Sequence, residues 1–147
     1  MKVSDILAAK SRKLVAVASQ TTIRRAVAIM ATEHVGALVV EDLDGRLLGV
    51  VSEHGVVDGL ARRGAHLLDM SMGEIMVADG PTVSPDDSVI SAMQLMTERR
   101  ARHLPVIADG GLVGLISVGD VLKSRLAEKT EEVTVLQDIA RFRLAAA

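Results

Sequence analysis

The chain contains no cysteine, tryptophan or tyrosine, and Phe142 is its single aromatic residue. Without cysteine there is neither a disulfide framework nor a thiolate zinc site. With a single aromatic ring the stacking platforms of single-stranded nucleic-acid binders are missing. The formal net charge is −2 at pH 7, so the basic excess with which nucleic-acid binders displace counterions is missing too. No apolar run approaches the ~20 residues of a membrane span. The opening residues Met1-Lys2-Val3-Ser4-Asp5 carry no signal-peptide core. A cytoplasmic location is the expectation, with no nucleic-acid or membrane partner. Aliphatic residues are plentiful: 49% of the 147 residues are hydrophobic. That is enough for one packed domain, or for two small units that share an interior.

The sequence repeats itself. Ile23, Ala26, Val27 and Met30 recur 66 positions later as Val89, Ala92, Met93 and Met96. Both sets have the i, i+3, i+4, i+7 spacing of an amphipathic helix. Short apolar stretches precede them, Val15-Ala16-Val17 and Thr82-Val83. Polar capping candidates lie between: Ser19 and Thr22 in the first copy, and Ser84, Asp86 and Ser88 in the second. Pro85 suits the first turn of a helix or the turn before it.

Each helix leads into an apolar run, Ala37-Leu38-Val39-Val40 and Leu104-Pro105-Val106-Ile107. Asp44-Gly45 and Asp109-Gly110 then mark hairpin turns. Second runs follow, Leu47 to Ser52 and Leu112 to Ser117, now offset by 65 because one residue is lost near the turn. Helical stretches from Val56-Val57 and Val121-Leu122 close the copies. Each unit therefore reads strand, helix, strand, strand, helix. So small a unit buries its apolar face poorly alone. Two of them packed about a pseudo-twofold axis share one core and leave two equivalent clefts at their boundary.

The expected organisation is a first repeat over 1–64, a connector over 65–71, a second repeat over 72–127 and a C-terminal helical extension over 128–147. The region from Arg62 to Ser71 reads as polar and contains Gly64. From Lys123 onward the chain is charged, yet it carries Leu126, Val133, Leu136, Ile139 and Ala140. This predicts a partly amphipathic helix, interrupted near Thr134, where Thr134 and Gln137 have capping-box spacing.

Gly114-Leu115-Ile116-Ser117-Val118-Gly119-Asp120, ahead of the apolar pair Val121-Leu122, resembles the signature of the CBS (cystathionine β-synthase-type) domain. Arg102-His103-Leu104-Pro105-Val106 and Gly36-Ala37-Leu38-Val39-Val40 are similar to its second-strand motif. Glu74-Ile75-Met76, followed by Thr82-Val83-Ser84-Pro85-Asp86-Asp87, resembles a repeat start. The ordered set occurs twice and spans roughly residues 3 to 127. It is similar to stand-alone bacterial CBS-pair proteins grouped with signal transduction. The resemblance implies an α/β fold, two CBS repeats packed with pseudo-twofold symmetry as one CBS-pair (Bateman-type) module. It also implies a homodimer and a regulatory role, with an effector protein as a further partner. The implied ligand is an adenine nucleotide, AMP, ADP or ATP. The alternatives are NAD(H), S-adenosylmethionine, or a dimerisation or partner-binding module with vestigial clefts.

Site residues follow from the resemblance. A carboxylate at a helix start can accept hydrogen bonds from both ribose hydroxyls, and Asp120 holds that position. Ser117 adds a hydroxyl, with Leu115 and Gly119 beside it. Adenine is expected against Leu14, Val15, Ala16, Val35, Gly36 and Ala37, and phosphates near Arg102 and His103. The second cleft is expected to use Ser52, His54, Gly55, Gly80, Pro81, Thr82, Val83 and Pro105, again with Arg102 and His103. There Gly55 replaces the aspartate, which implies weaker occupancy. Plainer roles exist for several of these residues. Asp120 also suits a helix N-cap, and Arg99 and Arg100 suit a helix C-terminus. The neighbours Glu33-His34 and Glu53-His54 diverge in direction, so no metal site is expected. Gly-x-Ser-x-Gly, the P-loop and the dinucleotide fingerprint are all absent, so neither catalysis nor a catalytic cofactor is expected.

Overall fold

The structure is a computed structural model describing residues 1–10 and 14–146. The first helix, α1, covers Val3–Ala9. The first repeat then runs β1 (Ala16–Val17), α2 (Ile23–Glu33), β2 (Ala37–Glu41), β3 (Leu47–Ser52) and α3 (Glu53–Arg63). Thr22 caps α2, its Oγ1 accepting from the Arg25 N–H at 3.2 Å, and Ile23, Ala26 and Met30 face inward. β1 pairs parallel to β2, and β2 antiparallel to β3.

After α4 (Met72–Ile75), the second repeat copies this plan with α5 (Val89–Arg99), β4 (His103–Ala108), β5 (Gly111–Ser117) and α6 (Val118–Ala146). Its first strand is reduced to a single parallel bridge between Val83 and Val106. Ser88 caps α5, accepting from the Ser91 N–H at 3.0 Å. The β4–β5 turn places both Asp109 (φ 51°) and Gly110 (φ 76°) in the left-handed region, as a tight hairpin requires. The closing helices start at Glu53 and Val118, three residues earlier than the sequence pattern indicates. Serine caps draw the chain into helix directly from the strand. Ser52 Oγ accepts from the Gly55 N–H at 3.1 Å, and Ser117 Oγ from the Asp120 N–H at 3.2 Å.

Each core receives a helix from the other repeat. Val3 and Ile6 of α1 pack with Val89, Leu104, Val106 and Ile116. Met72 of α4 packs with Ile23, Leu38, Val40 and Leu67. Backbone bonds seal both insertions, Val3 N–H to Asp87 O at 2.9 Å and Met72 N–H to Thr21 O at 2.7 Å. A glycine in each third strand makes room: Gly114 lies beneath Leu7, and its counterpart Gly49 beneath Met76. Exposing Val3 and Ile6 alone costs about 3–6 kcal/mol, at ~1.5–3 for each buried side chain. That is a large share of the ~5–15 kcal/mol that holds a domain together, so the repeats cannot part without unfolding.

Two expectations change. The stretch read as a polar connector contains a 3-10 helix (Gly64–Asp69) whose Leu67 is fully buried in the first core. The C-terminal stretch shows no interruption near Thr134, because α6 is one helix of 29 residues. Thr134 Oγ1 donates to Thr130 O at 3.0 Å, and Thr130 Oγ1 to Leu126 O at 2.9 Å. Both hydroxyls bond back one turn instead of capping a new helix. Among the described residues no helix is long and apolar enough to cross a membrane.

Candidate ligand-binding site

The β5–α6 junction builds a small cleft around Asp120. The Asp120 N–H donates to Ser117 Oγ at 3.2 Å, and the Ser117 N–H returns a bond to Asp120 Oδ2 at 2.8 Å. This is a capping box with aspartate as its acid. The same oxygen accepts from Lys10 Nζ at 2.8 Å, and Lys10 also donates to Leu115 O at 2.8 Å. Lys10 ends α1, so the exchanged helix delivers it. Burial pushes the Asp120 carboxyl up, but the bonds from Lys10 and Ser117 outweigh it and hold the pKa below the usual carboxylate value. At neutral pH the group is ionised. Among the described residues Oδ1 carries no hydrogen bond, and Asp120 lines the cleft.

That cleft measures ≈ 280 Å³ and faces Leu14, Val15, Val35, Gly36 and Ala37 across from Leu115, Ser117 and Asp120. This lies at the small end of the ~300–1,000 Å³ common for ligand pockets. Ala16 stands outside the wall, in the β1–β2 ladder opposite Val39, and Gly119 is not part of the wall either. Lys10 and His34 join it without any sequence signal that marks them. Lys10 meets Asp120 only because the chain folds back over a separation of 110 positions.

The pseudo-equivalent cleft is much larger, ≈ 780 Å³. Ser52, His54, Gly55, Gly80, Pro81 and Pro105 line it, together with Arg102 and His103. Thr82 and Val83 do not, and the Val83 side chain is buried in the second core. The cavity continues between α5 and α6 along Met93, Met96, Val121 and Leu122, and Arg99 and Arg100 form part of its wall. The sequence gives these two arginines only a helix-end role. Arg100 is indeed the α5 C-cap, at φ 50°, and it also belongs to the cavity wall.

His103 and Gly36 belong to both walls, whereas Arg102 lines the larger cleft. A Cβ on Gly36 would meet His103 Nε2 at 3.4 Å, so the backbone here passes close to the imidazole. Burial lowers the His103 pKa; Asp120 and Glu53 pull it up, while Lys10 and Arg102 push it down. The net direction is downward, so the imidazole is neutral at pH 7.

Two clefts at the boundary of a doubled strand-helix-strand-strand-helix unit coincide with the family profile described as "CBS domain", which matches residues 3–62 and 72–127. The chain belongs to the CBS domain family. A CBS-domain protein from Agrobacterium tumefaciens superposes with a TM-score of 0.81 at 35% identity, covering 85% of this chain and 99% of that one. A CBS domain protein from Pyrobaculum aerophilum, solved in complex with AMP, gives a TM-score of 0.73 at 29% identity, covering 82% and 89%. Among curated relatives, the mitochondrial CBS domain-containing protein CBSX3 of Arabidopsis thaliana is 37% identical over 116 residues, 76% of this chain. This CBS pair spans 56% of that relative's length. CBS pairs are regulatory modules, and the fold is the α/β CBS-pair arrangement.

Proposed function

We propose that this CBS pair is a non-catalytic sensor that binds an adenine nucleotide in the Asp120 cleft. The observation that carries the reading is the Asp120 carboxylate. It is ionised, fixed through Oδ2 by Ser117 and Lys10, and without a hydrogen bond at Oδ1 among the described residues. A ribose presents two adjacent hydroxyl donors to such an acceptor, and charge-assisted bonds of this kind are the stronger ones. The opposite wall supplies apolar faces from Val15 and Val35, with Gly36 and Ala37 small enough for a base edge to reach the backbone. The AMP complex of the Pyrobaculum relative supports the same ligand class. The proposal puts the phosphate near His103, which lines both clefts, with Arg102 on the larger side.

A ligand in this cleft touches both repeats. It acts as a signal when it prefers one arrangement of the pair over another. The reading includes a homodimer in the cytoplasm. Leu126 (68% exposed), Val133 (51%) and Leu136 (65%) on one side of α6 supply an apolar surface for a self-complementary contact. That exposed helix also favours the second reading, a dimerisation or partner-binding module. Calorimetric titration of AMP, ADP, ATP, NAD⁺, NADH and S-adenosylmethionine into nucleotide-free protein separates the readings. Saturable binding of an adenine nucleotide at one per chain supports the sensor. Tighter binding of NAD(H) or S-adenosylmethionine reassigns the ligand. A folded protein that binds none of them leaves the interaction module.

A further inference from the structure

The two clefts are related by the repeat, but their charges are not. Asp120 has Gly55 as its counterpart. Lys10 has Asp79, an exposed carboxylate outside the larger cavity. In the other direction, the α2 cap His34 has the α5 cap Arg100 as its counterpart, and both hold left-handed backbone. Gly36 has Arg102. The smaller cleft thus balances Lys10 against Asp120. The larger one sets Arg99, Arg100 and Arg102 against the single carboxylate of Glu53, with His54 and His103 as its other titratable groups. None of the three arginines forms an ion pair among the described residues. The rest of the wall is mainly aliphatic and thioether surface, from Met93 and Met96 to Leu122.

Unpaired guanidiniums beside a roomy apolar cavity favour an anionic head on an apolar body. Gly55 puts no carboxylate at the position that Asp120 holds in the smaller cleft, and Glu53 is the single carboxylate in the wall. We propose that the Gly55 cleft takes an organic anion with a bulky apolar body, a ligand class different from the nucleotide of the Asp120 cleft. The module then reads two unlike signals through one His103 wall. This rests on reading the clefts as ligand sites, but not on which nucleotide the Asp120 cleft prefers.

The test uses 1-anilinonaphthalene-8-sulfonate and its uncharged relative N-phenyl-1-naphthylamine as fluorescent probes, with AMP as competitor. The sulfonate is expected to bind at one per chain, roughly tenfold or more tighter than the neutral probe, and to survive saturating AMP. Arg99→Gln combined with Arg100→Asn should weaken the sulfonate about tenfold or more, since each lost charged bond counts. The same variant should leave AMP affinity unchanged. Asparagine suits the positive φ at position 100. Gly55→Asp should also weaken the sulfonate; a Cβ there meets only Ser52 Oγ, at 3.5 Å, so the side chain has room. A retained thermal transition checks folding, and Arg99→Gln alone replaces the double variant if that unfolds. Equal binding of the two probes, indifference to the arginine changes, or displacement of the sulfonate by AMP overturns the proposal. Arginine-dependent probe binding in a protein that ignores every nucleotide would instead sink the Asp120 reading and leave this one standing.

Discussion

Gly49→Ala tests the exchanged helices that bring the two repeats together. A Cβ at Gly49 would lie 2.7 Å from Met76 Sδ, 2.8 Å from its Cγ and 2.9 Å from its Cβ. Favourable carbon contacts begin near ~3.5 Å. The sulfur and Cγ can swing aside by rotation, but Cβ is one bond from the backbone and cannot. That backbone is pinned on both sides. Val77 and Val50 exchange N–H to O bonds at 3.0 and 3.1 Å, and the Met76 N–H reaches Met72 O at 2.8 Å. Relief must stretch one of these bonds or displace β3. Overpacking costs about 1–3 kcal/mol, and a weakened backbone bond adds about 0.5–1.5. An expected loss of about 2–3 kcal/mol lowers Tm by roughly 4–12 °C in a chain of this size. At the equivalent Gly114 the nearest atoms are the Leu7 tips, Cδ2 at 2.6 Å and Cδ1 at 3.2 Å, with Cγ at 3.5 Å. Urea unfolding of both series should therefore differ. Leu7→Ala rescues Gly114→Ala, whereas Met76→Ala fails to rescue Gly49→Ala because its Cβ remains. A Gly49→Ala protein within ~0.5 kcal/mol of the parent, the range of an ordinary surface change, would refute the reasoning, as would full rescue by Met76→Ala.

Lys10→Met should raise the Asp120 pKa, because the bonds and charge that oppose burial are lost; carboxyl carbon NMR reads the shift. A depressed carboxylate contributes stability that is present above its unfolded pKa and lost as pH falls through the folded one. The variant should therefore lose less stability than the parent between neutral and acid pH, as measured by urea midpoints. His103 also has a lowered pKa, so its contribution is full above the unfolded value of 6.5 and declines as pH falls toward the folded one. His103→Asn should flatten that slope. A bound phosphate beside His103 raises its pKa again, so nucleotide binding should take up protons below neutrality, visible as calorimetric heats that depend on the buffer. Leu126→Glu with Leu136→Glu should abolish the proposed self-association in sedimentation equilibrium, with the fold retained, since both side chains are exposed on α6.

The repeat was legible because apolar spacing and turn residues survive in both copies at offsets of 66 and 65. The caps Thr22 and Ser88 were legible for the same local reason. The exchange of α1 and α4 was not. Val3-Ser4-Asp5-Ile6 and Met72-Gly73-Glu74-Ile75 are single turns at a third offset of 69, and local pattern does not say which core a turn enters. Leu67 was hidden in a short stretch, Gly64 to Met70, with no helix or strand periodicity, although its burial against Gly59 is tight. Asp120 and Ser117 were marked by a local motif, and their mutual hydrogen bonds express it. Lys10 was beyond reach because its bond to Asp120 spans nearly the whole module. The large apolar extent of the Gly55 cleft was equally hidden. It arises from α5 and α6 side chains that in sequence read only as core filler and helix ends.

The most direct test of the account is calorimetric titration of AMP into nucleotide-free protein, parent beside Asp120→Ala. Removing a carboxylate that accepts two charged hydrogen bonds should cost about 3–6 kcal/mol of binding, a hundredfold or more in affinity. The account predicts one AMP per chain in the parent and that loss in the variant. Equal affinity in the two proteins, or a folded parent that binds no adenine nucleotide, would contradict it.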